Sequence, residues 1–431
     1  MGIVKRIQND TFIRQVLTLA GGNIGGQLVL FLSLPLLQRY FYSPGSFGLF
    51  TVYVSLSELL INISGLKYEY GIVPLRRHKK ALNLLFTSIV TVFTTSILTL
   101  LGYAAVYFGS SAGSELRVLG LSGFLLPVSV FCWGTVNALG YWFNREKHYG
   151  RISGSKWVSS LVSEPVKFAV QPRLSSGAGL ISGRVAGQFA ACIYMCILFW
   201  KHQRHYLRLY SPREMRRMLK EERRYPFYIM PGALITALIT AIYVNFFSHY
   251  FGPEKTGVLG VSVSYLGVAF GIVSGAFGQV FFRRISEEDN YTRLSALFRR
   301  FLLVLSAMAA AVILFIYLFP NSWVTALLGE RWTQTLPVMR IMVLWMSIAF
   351  VSSALSFIHI RLHNQRGLLI LEVIHLVLVL AALYGSYVWR GDFFFTLCAF
   401  SLVQIIHYLA VILSAFLFLN KKNKELTNRE K

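Results

Sequence analysis

Three shortages bound this chain before any motif is considered. It has four cysteines, 18 acidic residues against 42 basic ones, and few charged residues of either sign in 431. Cys132, Cys192, Cys196 and Cys398 all lie inside apolar stretches. Cys192 and Cys196 share a helix face at i, i+4, but no His or Asp joins them at metal-ligand spacing, so small apolar packing is their expected role. Charged residues make up only 14% of the chain, hydrophobic ones 55%, and the mean hydropathy is +0.56. The polar surface that two or three soluble domains of this length would need is therefore missing. A small-residue cleavage pattern is also absent near the end of the first apolar stretch, which is expected to remain as a span.

What is present is a series of apolar stretches: 15–38, 46–65, 82–108, 118–142, 157–172, 178–200, 227–249, 256–281, 301–319, 336–360, 368–388 and 394–418. Runs of about 20 residues suit membrane helices rather than barrel strands, because backbone groups in hydrocarbon must be bonded within their own segment. Of the 42 Lys and Arg, 33 fall in the two tails and the even-numbered gaps. Basic residues resist translocation, so that side is expected to be cytoplasmic, with twelve spans and both ends inside. The net charge of +24 could suggest nucleic acid. Its confinement to loops on one face instead fits orientation signals beside anionic lipid headgroups, and no nucleic-acid partner is expected.

Aromatic, Pro, Gly and Ser residues recur at a constant offset of 209, from Phe41-Tyr42-Ser43-Pro44, Phe47-Gly48 and Ser55 to Tyr250-Phe251-Gly252-Pro253, Thr256-Gly257 and Ser264. Six helices separate the copies, which predicts parallel six-helix halves. The expected divisions are 1–200 and 227–420, joined by a basic linker over 201–226 and followed by a tail, 421–431, expected to be disordered. Within the linker, Ser211-Pro212-Arg213-Glu214 reads as a capping box with Pro at the first helical position. The helix it opens is either an interfacial amphipathic helix or a solvated one.

Several patterns that suggest chemistry are weak. Gly109-Ser110-Ser111-Ala112-Gly113 matches a nucleophile elbow but lacks the preceding strand. Glu372 and His375 form a single E-x-x-H unit, where a di-iron bundle needs two and two further Glu. Gly21-Gly22-Asn23-Ile24-Gly25-Gly26 fits helix packing through Gly22-x-x-x-Gly26 better than a phosphate loop. Neither a catalytic residue nor a metal site is expected. Ionisable residues within spans carry more information, since each is costly in lipid and normally faces a protein interior or cavity. They are Glu58, Glu164, Lys167 and Arg184, with Lys67 and Arg76 flanking the end of the second span. Glu164 and Lys167, at i, i+3, either neutralise each other structurally or belong to a wet cationic cavity.

Phe47-Gly48-Leu49-Phe50, Leu66-Lys67-Tyr68-Glu69-Tyr70-Gly71-Ile72-Val73-Pro74 and Leu328-Gly329-Glu330-Arg331-Trp332 resemble segments of the polysaccharide exporters of the MOP (multidrug, oligosaccharidyl-lipid, polysaccharide) superfamily. The likeness is greatest to Wzx-type O-antigen and capsule flippases. That resemblance implies an all-α, MATE/MOP-like polytopic fold of twelve helices in two lobes, in a bacterial inner membrane. It also implies a transporter rather than an enzyme, moving undecaprenyl-diphosphate-linked oligosaccharide to the outer leaflet by alternating access. Lys67, Arg76, Lys167 and Arg184 are then candidates for the diphosphate, while Glu58 and Glu164 are candidates for coupling or charge pairing. No cofactor is implied beyond coupling to an H+ or Na+ gradient. Implied partners are membrane lipids and a polysaccharide polymerase with its chain-length machinery. A cation-coupled multidrug exporter is the alternative, disfavoured because residues 15–38 contain no Asp or Glu. A membrane glycan polymerase is disfavoured because the longest exterior gap, 320–335, has 16 residues.

Overall fold

The computed structural model describes residues 25–109, 116–170, 177–288, 290–362 and 365–427. The basic N-terminal tail, Gly22 and the Ser110–Gly113 part of the elbow-like pattern lie outside the described residues. The described chain is helical throughout, as backbone groups buried in lipid require. It divides into two compact units, Met1–Gly257 and Val258–Lys431.

The first unit begins with α1, helical over 25–36 and closed by a π turn, Leu37–Phe41. There follow α2 (Pro44–Ser64), α3 (His78–Phe108), α4 (Leu126–Arg145), α5 (Tyr149–Val170), α6 (Ala178–Gln203) and the short α7 (Pro212–Glu221). The long α8 (Met230–Glu287) is broken at Gly252, whose φ of 84° and ψ of 168° are open to glycine, with Pro253 next. The second unit takes the later part of α8, then α9 (Tyr291–Leu318), α10 (Asn321–Leu328), α11 (Thr335–Leu355), α12 (Phe357–Arg361), α13 (Gln365–Arg390) and α14 (Phe393–Thr427). Within the first unit, Pro253 lies against Gly48 and Gly257 against Pro44.

Nine helical segments among the described residues are long and apolar enough to cross a membrane. One of them, Met230–Gly271, carries the Gly252 break and covers two of the sequence stretches. The nine thus account for ten of the twelve. The first stretch is described only from Gly25, and the fifth, in α5, is too polar. Large apolar side chains such as Leu98, Leu101, Phe315 and Val388 stand exposed on these helices, as lipid-facing residues do.

Two expectations need correction. Helix α14 continues to Thr427, so the tail from Lys421 is helical for a further two turns; Lys, Glu and Leu are good helix formers and extend an existing helix at little cost. The capping box before α7 does not close. Ser211 makes no side-chain cap, and its backbone N–H donates instead to Asn83 Oδ1 of α3 at 2.9 Å. Helix α7 lies on its own protein. Met218 is fully buried in the cluster formed with Tyr68, Leu82, Leu85 and Trp142. Tyr68 donates to Leu219 O at 3.1 Å, and Lys80 pairs with Glu221 at 2.8 Å.

Candidate functional site

Close packing of α5 on α6 places the charged groups of the first unit. Gly183 of α6 leaves room for Lys167 Cγ and the Ser163 carbonyl of α5, and Gly187 does the same for the Ser159 carbonyl. A methyl group at either position would overlap backbone. This small-xxx-small match lets the polar α5 and the more apolar α6 meet at short distance. Gly25 and Gly26 of α1 fit against Trp157, Lys156 and Ser160 of α5 in the same way.

Two ion pairs result, with different surroundings. Lys167 Nζ reaches Glu164 Oε1 at 2.6 Å, with side chains only 5% and 6% exposed. Ser33 of α1 donates to the other carboxylate oxygen at 2.7 Å, and the ammonium stands 5.7 Å above the Phe50 ring. Tyr42 adds a bond to the Lys167 carbonyl at 2.7 Å. Arg184 of α6 pairs with Glu58 of α2 at 2.5 Å, but these side chains are 26% and 45% exposed. Its Nε is buried without a hydrogen-bond partner. The third cation inside a stretch, Arg340, caps α9 by donating to the Tyr317 and Phe319 carbonyls.

The remaining candidates are not gathered with these pairs. Lys67 is buried in the left-handed region at φ 59°, where its ammonium donates to Asn62 Oδ1 at 3.1 Å and lies 5.3 Å from the Tyr70 ring. Asn62 in turn donates to the Glu58 carbonyl one turn back on α2. Arg76 is exposed, and its carbonyl accepts from Arg145. Of the four proposed cations, only Lys167 and Arg184 share neighbouring positions.

A second cluster lies in the other unit. Glu372 and His375 of α13 meet His407 of α14, with donor atoms within 4.8 Å of one another. Glu372 is 3.9 Å from His375 Nδ1 and 3.6 Å from His407 Nε2. The two imidazoles stack with centroids 3.8 Å apart and planes 10° from parallel. Four ligands around zinc point at one centre, so two histidines approach it along diverging axes. A parallel stack sets their nitrogens side by side instead, which is not the arrangement of a metal's ligand set. Sequence reading found Glu372 and His375 but passed over His407. The available signal was a third ionisable side chain within an apolar stretch.

The comparisons with known proteins agree with this fold. A model of the family described as polysaccharide biosynthesis protein matches residues 41–337. Solved structures similar to the chain include an inward-facing multidrug resistance MATE family transporter of the MOP superfamily, at 14% identity, TM-score 0.67 and 96% coverage of both chains. A MOP superfamily transporter from Pyrococcus furiosus is similar at 14% identity and TM-score 0.63, again with 96% coverage of both. The lipid II flippase MurJ in an inward closed conformation aligns at 12% identity and TM-score 0.69, covering 94% of this chain and 89% of that one. No curated protein sequence matches the chain.

Proposed function

The chain belongs to the polysaccharide biosynthesis protein family, and from that premise we propose that it is a flippase for undecaprenyl-diphosphate-linked oligosaccharide. The cargo passes from the cytoplasmic to the outer leaflet, for O-antigen, capsule or exopolysaccharide assembly. The protein sits in the bacterial inner membrane with both termini cytoplasmic, and hands its product to a polymerase and chain-length machinery.

The observation that carries this reading is the accessible Arg184–Glu58 pair, on helices of membrane-spanning length. A guanidinium presents a planar fork that matches phosphate oxygens bidentately. Diphosphate therefore competes with Glu58 for the exposed end of Arg184. Lys167 adds positive charge from the same helix pair, but its buried carboxylate partner holds it more firmly. When the cargo leaves, Glu58 returns to Arg184 and the site is neutral again. Such an exchange favours release as well as capture, which alternating access requires. The same preference for an anionic headgroup weighs against a cationic drug as cargo.

Deleting the gene is expected to leave lipid-linked repeat units on the cytoplasmic leaflet while surface polysaccharide disappears. Lectin-accessible labelling of the units in intact cells and inverted vesicles measures their sidedness. Units that reach the outer face but stay unpolymerised would replace the flippase by a polymerase. Normal surface polysaccharide with lost drug efflux would replace it by a multidrug exporter.

A further inference from the structure

We propose that Glu372, His375 and His407 form a binding site for a single proton, and that this proton is the ion coupled to transport. The coupling role rests on the transporter reading above; the proton site itself does not.

The geometry limits the charge states. With both imidazoles neutral, the trio carries one negative charge inside helices α13 and α14, whose side-chain environment is largely closed: His375 is 4% and His407 6% exposed. One added proton gives a carboxylate beside an imidazolium and no net charge. A second would place two positive rings 3.8 Å apart, where repulsion in a low-dielectric interior is strong. The cluster is thus built to alternate between one proton and none.

Its members divide the work. Glu372 is the open one, with 26% of its side chain exposed, and it lies within 4 Å of both rings. The proton enters and leaves there, and passes to His375 Nδ1 or His407 Nε2. Neither ring nitrogen of His375 makes a short hydrogen bond; Glu372 faces its Nδ1 at 3.9 Å and Gln404 stands beside the ring, so a lone pair is available to receive the proton.

The surroundings are mostly aromatic and uncharged. Tyr408 stands 5.1 Å from the His407 ring and 6.3 Å from His375, with the Trp345 ring of α11 parallel to it at 6.3 Å. Buried Gln404 lies beside His375. From α12, His359 engages the Val411 carbonyl a turn beyond His407. From α9, Arg299 covers Phe416 more than two turns away. Among the described residues, no lysine, arginine or aspartate is paired with any of the three. A sodium ion prefers a shell of oxygen ligands, and two imidazole nitrogens offer it little.

The test is a pH titration of the full chain in lipid nanodiscs, with 15N-labelled histidine observed by NMR. Histidine-to-glutamine changes at 375 and 407 assign the two rings. The expected result is a two-step titration of the pair, the first proton held at least about ten-fold more tightly than the second. Glu372→Gln is expected to weaken the first proton about ten-fold or more, since an opposite charge within 4–6 Å is lost. Rings that titrate independently, or identically in wild type and Glu372→Gln, would overturn the site. Stoichiometric Zn2+ that displaces the protons and binds all three residues would also overturn it. The wild-type titration decides the matter even where Glu372→Gln does not fold. In cells, Glu372→Gln made at normal level is expected to lose surface polysaccharide; normal polysaccharide would overturn the coupling role and leave the proton site intact. Deleting the whole gene tests the flippase reading separately.

Discussion

Two ion pairs of similar chemistry are expected to respond to mutation in opposite ways. Lys167 and Glu164 are closed in by Ser33, Phe50 and Tyr42. Removing one charge strands the other, at about 3–5 kcal/mol, whereas removing both is often neutral. Lys167→Ala should therefore yield little folded protein, and Glu164→Gln with Lys167→Gln should restore it. Arg184 and Glu58 are partly exposed, and pairs of that kind contribute about 0–1 kcal/mol. Arg184→Gln should fold at near wild-type level, yet lower surface polysaccharide about ten-fold or more. Arg184→Lys should recover part of it, because charge survives and the fork does not. Expression measured by fluorescence size exclusion, together with polysaccharide yield, separates the two outcomes. Normal yield in Arg184→Gln would remove Arg184 from the cargo site. Both residues were legible in the sequence, because charge within an apolar stretch is rare and costly. The partner of Arg184 was not. Glu58 lies 126 positions away, and only the fold brings them together.

Helix α7 shows how a helix can be legible in the sequence while its packing partner is not. Pro212, Met218 and the surrounding cations announced an amphipathic helix, and one is present. Nothing in the local pattern distinguishes a lipid surface from a protein surface, because both bury the same apolar face. Asn83, Thr87 and Lys80 on α3 decide the matter through contacts 128, 128 and 141 positions distant. The helix end is expected to respond to pH. Lys80 and Arg217 hold the Glu221 carboxyl below its ordinary range. Their stabilisation is present above the ordinary carboxylate value and is lost as pH falls through the lowered one. Hydrogen exchange over 212–221, corrected for the intrinsic pH effect, should accelerate across that acidic window. In Glu221→Gln the acceleration should be absent; an unchanged profile would assign it to another group. The α5–α6 contact was similarly half-visible. Ser159, Ser163, Gly183 and Gly187 follow the small-residue pattern, but nothing local says which two helices meet through it.

At the scale of the whole chain, the 209-residue repeat has a structural counterpart. Gly48 lies against the Pro253 carbonyl, and Gly257 against the Pro44 carbonyl. Adding 209 to Pro44 and Gly48 gives Pro253 and Gly257, so the two contacts exchange roles. The copies therefore meet about a local two-fold relation, each glycine admitting the backbone of the other copy. Sequence comparison could find the two copies, because each keeps its aromatic, Pro and Gly residues. It could not find that they touch, since similarity carries no information about contact. The consequence is a selective sensitivity to one added methyl group. Gly48→Ala and Gly257→Ala force a side chain into a carbonyl that has no rotamer to move. A cost of about 1–3 kcal/mol or more is expected from such overpacking. Gly102 and Gly140 are the controls. They sit in helices with open space where a Cβ would be, so alanine there should be neutral or stabilise by up to about 1 kcal/mol. Thermal melting of the four purified variants in one detergent measures the contrast. The first two should melt several degrees below wild type and the controls at or above it. Equal melting of all four would mean that the crossing bears no strain on substitution, and that the repeat meets elsewhere or not at all.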